Sequence, residues 1–188
     1  MLKVLEGIPA FLNPLSEIRM EVFRGDSFQL EVNNVRDSLR VAVIIRALLR
    51  GITINKSRRQ LDCRVALGIG DVTYDSNSVS TSDGEAYRLS GRTLDEMESS
   101  RLMVATCWDD INAELDVETA LADGYITKWK SAQSRIMATY LLKDVRQEDL
   151  ATELGLSRQM INKTLKSASA PLIKLYIKRF ETLINERI

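Results

Sequence analysis

The chain of 188 residues contains no histidine. That excludes an imidazole general base, a Ser-His-Asp arrangement and every zinc site that needs imidazole. Metal chemistry here would rest on carboxylates, and therefore on a hard ion such as magnesium or manganese. There are two cysteines, Cys63 and Cys107, without metal-ligand spacing. One pairing is open to them, although lone cysteines in such a chain are more often small buried hydrophobes. Prolines number three and aromatic residues make up 6%. No apolar run is long enough to span a bilayer: Val41–Leu49 is short and interrupted by Arg46. No signal peptide is visible, and a cytoplasmic protein is expected.

What is present is the composition of a soluble globular protein, 45% hydrophobic and 28% charged, with zero net charge. The charge is unevenly placed. Residues 128–188 hold twelve Lys and Arg against six Asp and Glu, so that part carries +6 and the rest −6. A positive end beside a negative body suits a localised polyanion site.

Arg146–Ala168, RQEDLATELGLSRQMINKTLKSA, has the pattern of a helix-turn-helix over about 147–168. Leu150, Ala151 and Leu154 give a first helix its apolar face, and the small Ala151 allows a close crossing. Gly155 can adopt the left-handed conformation that closes a helix. Leu156 fills the corner, Ser157 is a good N-cap, and Ile161 and Leu165 point a second helix inward. Arg158, Gln159, Asn162, Lys163 and Lys166 then lie elsewhere on its surface, with side chains suited to base edges or phosphates. A helical hairpin with a solvated polar face would have the same pattern.

Before this segment the elements are mixed. Leu2–Leu12 can form an amphipathic helix weakened by Gly7 and Pro9. Ile18–Val32 alternates on both sides of Arg24-Gly25-Asp26-Ser27, the pattern of a β-hairpin. A long helix follows from Asn33 or Asn34 to about Leu49, ended by Gly51. Asp62–Thr73 reads as a strand whose glycines imply a bulge or a close backbone approach. Further elements are a helix near Glu85–Met97, a strand at Leu102–Ala105, and helices near Ile111–Leu121, Ile126–Leu142 and Pro171–Asn185. Two modules are expected, 1–110 of α+β type and 111–188 all-helical.

Asp26, next to Gly25 in the hairpin turn, can project a carboxylate toward a divalent ion or ligand; Gly-Asp pairs are also common in turns for their own sake. Arg88 and Arg92 are four residues apart and share a helix face. Such a pair needs an anion between the guanidiniums or internal carboxylates, for which Glu85 and Glu96 are well spaced.

The segments FRGDSFQL (23–30), RVALGIG (64–70) and SDGEAYRLSGR (82–92) resemble the SatD family of bacterial proteins. More distantly, the first module resembles the class III nucleotidyl cyclase and GGDEF fold, a ferredoxin-like sheet backed by helices. The resemblance implies two metal-binding aspartates, of which Asp26 matches the one in the hairpin turn. It also implies a later helix with an asparagine and, four residues on, an arginine that stabilises the transferring phosphoryl group. Arg92 matches that arginine, while Arg88 stands at the asparagine position. The family opens with a strand of the type A-V-I-T-G-D-I-V-x-S that supplies the other aspartate. Here Met1-Leu2-Lys3-Val4-Leu5-Glu6 leads almost directly into helix, so the chain resembles a version lacking that strand.

The fold class expected is therefore α+β, a truncated ferredoxin-like or cyclase-like module followed by an all-helical helix-turn-helix module. The function expected is a DNA-binding regulator with a degenerate cyclase-like body that senses or dimerises. The alternatives are a nucleoside triphosphate enzyme and a non-DNA-binding interaction protein. Expected partners are DNA, a second copy of the chain and a nucleotide or phosphate ligand held by Asp26, Arg88 and Arg92, with no membrane. No resident cofactor is expected beyond magnesium or manganese accompanying a nucleotide, with Asp26 as its ligand.

Overall fold

The computed structural model describes residues 2–23, 26–54, 59–74, 79 and 82–188. Helices α1 (Leu2–Glu6) and α2 (Ile8–Leu12) divide the first amphipathic segment at Gly7, with Pro9 in the opening turn of α2, where its missing N–H costs nothing. Strands β1 (Ile18–Phe23) and β2 (Ser27–Val32) form the expected antiparallel hairpin, Ile18 opposite Val32 and Phe23 opposite Ser27. The Asn34 side chain accepts a hydrogen bond from the Arg36 amide and opens a short 3-10 turn leading into α3 (Ser38–Arg50).

Strands β3 (Thr53–Ile54) and β4 (Arg59–Gln60) form a small ladder. The strand expected over Asp62–Thr73 is two strands, β5 (Val65–Ile69) and β6 (Val72–Tyr74), parted by Gly70 and Asp71. β6 pairs with β7 (Asp83–Gly84), which opens directly into α4 (Glu85–Glu96). β8 (Leu102–Thr106) then lies parallel to β5, with Val65 opposite Leu102 and Ile69 opposite Thr106. Gly68 serves a close approach: a Cβ there would lie 2.1 Å from the Ala86 carbonyl oxygen and 2.6 Å from the Ser90 nitrogen. Absence of a side chain is what lets α4 lie on β5.

From residue 109 onward the described chain is helical: α5 (Asp109–Thr127), α6 (Ser131–Lys143), α7 (Gln147–Leu154), α8 (Arg158–Ser167) and α9 (Ala170–Asn185). The helix expected over Ile126–Leu142 starts five residues later, because Ile126 still belongs to α5. The break at Lys128–Lys130 is held by Trp129, which is buried between the two helices and other parts of the core. An α+β N-terminal region thus precedes an all-helical segment. A continuous apolar core joins them: Leu39, Val43, Ile44 and Leu49 of α3 belong to the same cluster as Leu115, Met137, Ile161 and Phe180. No helix among the described residues is long and apolar enough to cross a membrane.

Candidate functional site

Helices α7 and α8 meet through a tight turn whose chemistry is local. Gly155 adopts φ 63° and ψ 33°, the left-handed geometry that a glycine takes without a Cβ penalty. The Leu156 amide then donates to the Ala151 carbonyl at 3.0 Å, satisfying one of the carbonyls left open at the end of α7. Ser157 caps α8 by accepting from the Met160 amide at 3.2 Å. Leu150, Ala151, Ile161 and Leu165 are buried, so the two helices pack through the residues that the periodicity selected.

The other side of α8 is solvated. Ser157, Arg158, Gln159, Lys163 and Lys166 are exposed and Asn162 is half-buried. Arg158 reaches back to Glu148 of α7 at 3.1 Å. Among the described residues neither Lys163 nor Lys166 enters an ion pair, whereas Lys143, Arg146 and Lys174 are matched by Glu153, Asp149 and Asp144. The unmatched positive charge of the helical segment therefore includes the outer face of α8. Met160 shares that face at 51% exposure, a residue that sequence reasoning passed over. Its position three before Lys163 was the available signal, and an exposed thioether suits contact with a thymine methyl.

The C-terminal end of α8 is anchored. The Trp129 indole donates to the Ala168 carbonyl at 2.9 Å, and the Gln133 amide donates to the Ser167 hydroxyl at 2.9 Å. The Trp129 carbonyl in turn accepts from Arg50 of α3 at 2.8 Å.

Arg50 belongs to a buried ionic network that periodicity alone could not reveal. Arg46 is fully buried on α3. Its Nε and Nη2 donate to the two Asp62 carboxylate oxygens at 3.1 and 2.9 Å, and its Nη1 donates to Asp123 at 2.5 Å. Arg50 adds a hydrogen bond to Asp62 at 2.7 Å. Burial pushes the Asp62 carboxyl upward, but hydrogen bonds and charge from Arg46 and Arg50 outweigh it and hold the carboxyl below its ordinary range. Burial likewise opposes the charge on Arg46, yet Asp62 and Asp123 keep that guanidinium above its ordinary value.

Of the three body residues singled out by the sequence, Asp26 stands apart from the two arginines in its contacts. Asp26 is exposed at the end of the hairpin, accepting from the Ser27 hydroxyl at 3.4 Å. Arg88 is exposed on α4 and pairs with Asp83 at 3.0 Å, while the Arg92 Nε donates to the Arg88 carbonyl at 3.4 Å. The carboxylate answering Arg88 is thus Asp83. Among the described residues no hydrogen bond or ion pair joins Asp26 to either arginine, and no cluster of three or more Cys, Asp and Glu side chains is arranged to hold a metal. Arg24 and Gly25 lie outside the described residues.

Of the two cysteines, Cys63 is half-buried, and burial pushes its thiol up to about 12. Cys107 is exposed and not the buried hydrophobe expected; both are free thiols. A cleft of about 930 Å³ lies between β2 and β5 beneath α4.

No protein-family description, characterised protein or solved structure matches the chain.

Proposed function

We propose that the chain is a DNA-binding regulator that reads the major groove with α8. The observation carrying this reading is the α7–Gly155–α8 unit, in which a capped, rigidly seated helix turns an exposed basic and amide-bearing face to solvent. On this reading Arg158, Gln159 and Asn162 lie near base edges, while Lys163 and Lys166 lie near phosphates. One such unit buries little area against DNA, so the operator-binding form is a homodimer spanning two half-sites. Leu172 and Leu175 of α9, at 50% and 64% exposure, leave apolar surface for that association. The α+β region serves as the sensing or dimerising body, a degenerate ferredoxin-like, cyclase-like module related to SatD proteins. Incubation with ATP or GTP and manganese tests it for catalysis, and no appreciable cyclisation is expected.

Fluorescence anisotropy with genomic fragments over a range of salt concentrations tests the DNA reading. Lys163→Glu/Lys166→Glu should weaken binding to all sequences. It should also reduce the magnitude of the slope of log K against log salt by about two, one per lost phosphate contact. Parent-like binding by this variant would sink the assignment of α8.

A further inference from the structure

Helix α5 is engaged on two of its sides. Ile111, Leu115, Thr119, Ala122 and Ile126 are buried. The flank toward α9 is tied down by ion pairs of Asp110 with Arg187 and of Glu114 with Arg179. The third side is exposed, and Ala113, Val117, Ala120, Leu121, Gly124 and Tyr125 recur on it at helical spacing. Val117 and Leu121 are each 64% exposed and Tyr125 is 43% exposed. Asp116 supplies the one charge among the exposed residues between 113 and 125. A glycine inside a helix is destabilising, and a Cβ on Gly124 would meet nothing within 4 Å. Its own chain therefore gives no packing reason for that glycine. The ends of the face carry opposite charge. Asp109 and Asp116 lie toward its start, and Lys128, the C-cap with helical backbone angles, lies at its end. Among the described residues none of these three enters an ion pair.

We propose that this face of α5 packs against the same face of a second copy of the chain, antiparallel, about a two-fold axis beside Ala120 and Leu121. The contact rests on the homodimer of a DNA-binding regulator and says where its two copies meet. In this register Val117 lies opposite the partner's Gly124 and Leu121 opposite the partner's Ala120, so each larger side chain meets a small one. Lys128 lies opposite the partner's Ala113. The neighbours of that alanine one turn to either side on the same face are the partner's Asp109 and the partner's Asp116. Each lysine is thus set between two carboxylates left unmatched within one copy, and the two-fold axis repeats the arrangement. A parallel pair would set lysine beside lysine and aspartate beside aspartate. A two-fold contact requires a surface complementary to itself, and the polarity of this face meets that requirement, which favours a second copy over an unrelated protein. One helix of about 28 Å against another is small beside the roughly 800 Å² per partner of a standard interface, so dissociation in the micromolar range is expected. The exposed leucines of α9 are the rival face, and the experiment separates the two.

Sedimentation velocity of the full chain without DNA, from about 1 to about 300 μM, tests this. The parent should pass from monomer to dimer across that range. Leu121→Glu and Gly124→Phe should each give a folded monomer by circular dichroism, since Leu121 is exposed and the space above Gly124 is open. Lys128→Asp should weaken the dimer by about tenfold or more, through pairs lost on both sides of the axis. Asp109→Lys/Asp116→Lys/Lys128→Asp exchanges the signs and should restore it, a recovery that lost packing alone would not give. Four results would overturn the proposal. They are a parent monomeric throughout, a dimer that persists in Leu121→Glu or Gly124→Phe, dissociation by Leu175→Glu but not by Leu121→Glu, and no recovery in the sign-exchanged variant. Lys163→Glu/Lys166→Glu should dimerise as the parent does, so failure of α8 to bind DNA and failure of the α5 contact are read separately.

Discussion

Replacing Arg46 by methionine tests whether the ionic network holds the fold together. Methionine keeps much of the unbranched bulk of arginine and removes the guanidinium alone. Four hydrogen bonds go with it: two to Asp62, one to Asp123 and one to the Thr127 hydroxyl at 3.0 Å. Removing one partner of a buried ion pair typically costs about 3–5 kcal/mol, because the other charge stays buried. Both carboxylates here retain donors. Asp62 keeps Arg50 and the Cys63 amide, and Asp123 keeps the Arg101 amide at 2.7 Å and the Thr127 hydroxyl at 3.1 Å. The expected loss in equilibrium urea denaturation at neutral pH is accordingly about 3 kcal/mol, the low end of that range. Arg46→Met/Asp123→Asn should be less destabilised than the sum of the single variants, because neutralising Asp123 relieves part of the orphaned charge.

The pH dependence carries a sign. A carboxyl whose folded-state pKa is depressed contributes stability above its unfolded value, about 3.9 for aspartate, and loses it as pH falls through the folded value. Asp62 is such a group. The parent should therefore lose stability below about pH 4. Arg46→Met lacks the main cause of the depression and should lose less, so the stability gap between the two proteins narrows on acidification. A loss below about 1 kcal/mol at neutral pH, in the range of an exposed ion pair, would refute the reasoning. So would a gap that widens in acid.

Other substitutions probe single contacts. Gly68→Ala should destabilise markedly or prevent folding, since its Cβ would meet backbone at 2.1 Å, whereas Gly91→Ala should stabilise by about 0.5–1 kcal/mol in thermal melts. Ser157→Ala should cost about 1 kcal/mol through the lost cap, and Gly155→Ala about 1–2 kcal/mol through its left-handed backbone, both by urea denaturation. Iodoacetamide at pH 8 should label the exposed Cys107 before the half-buried Cys63, whose thiol burial keeps protonated; equal rates would contradict the packing ahead of β5.

What was legible in the sequence follows how local each signal is. Gly155, Ser157 and the Leu150/Ala151/Ile161/Leu165 spacing define α7 and α8 because a turn, a cap and a helical face are set by residues within a few positions of one another. The same holds for the β1–β2 hairpin, where alternation and a short turn fix the register. The break between α5 and α6 escaped notice because neither Gly nor Pro marks it. Trp129 holds it instead, through its hydrogen bond to Ala168, which is distant in sequence but adjacent in space. Alternation in β2 and β5 likewise says which residues share a face, yet nothing about which strand edge finds a partner. That is decided by elements distant in sequence, so the cleft was invisible. Asp26, Arg88 and Arg92 were placed on their turn and helix, but whether a turn and a helix face converge is again a long-range matter.

Arg46 looks from sequence like an interruption of an apolar helix, and its structural consequence reaches furthest. It draws Asp62 from the loop before β5 and Asp123 from α5 onto α3. Arg50, one turn on, continues the polar connection to the Trp129 carbonyl, and the Trp129 indole continues it to Ala168 at the end of α8. Each link joins elements far apart in the chain, and most are buried, where hydrogen bonds are directional and costly to leave unmade. Apolar packing alone would let α8 slide or rotate at small cost, since hydrophobic contact is non-directional. The hydrogen-bonded chain from Asp62 to Ala168 fixes where α8 ends relative to α3. If α8 reads DNA, the orientation of its outer face is thereby set by the body as well as by its partner helix α7.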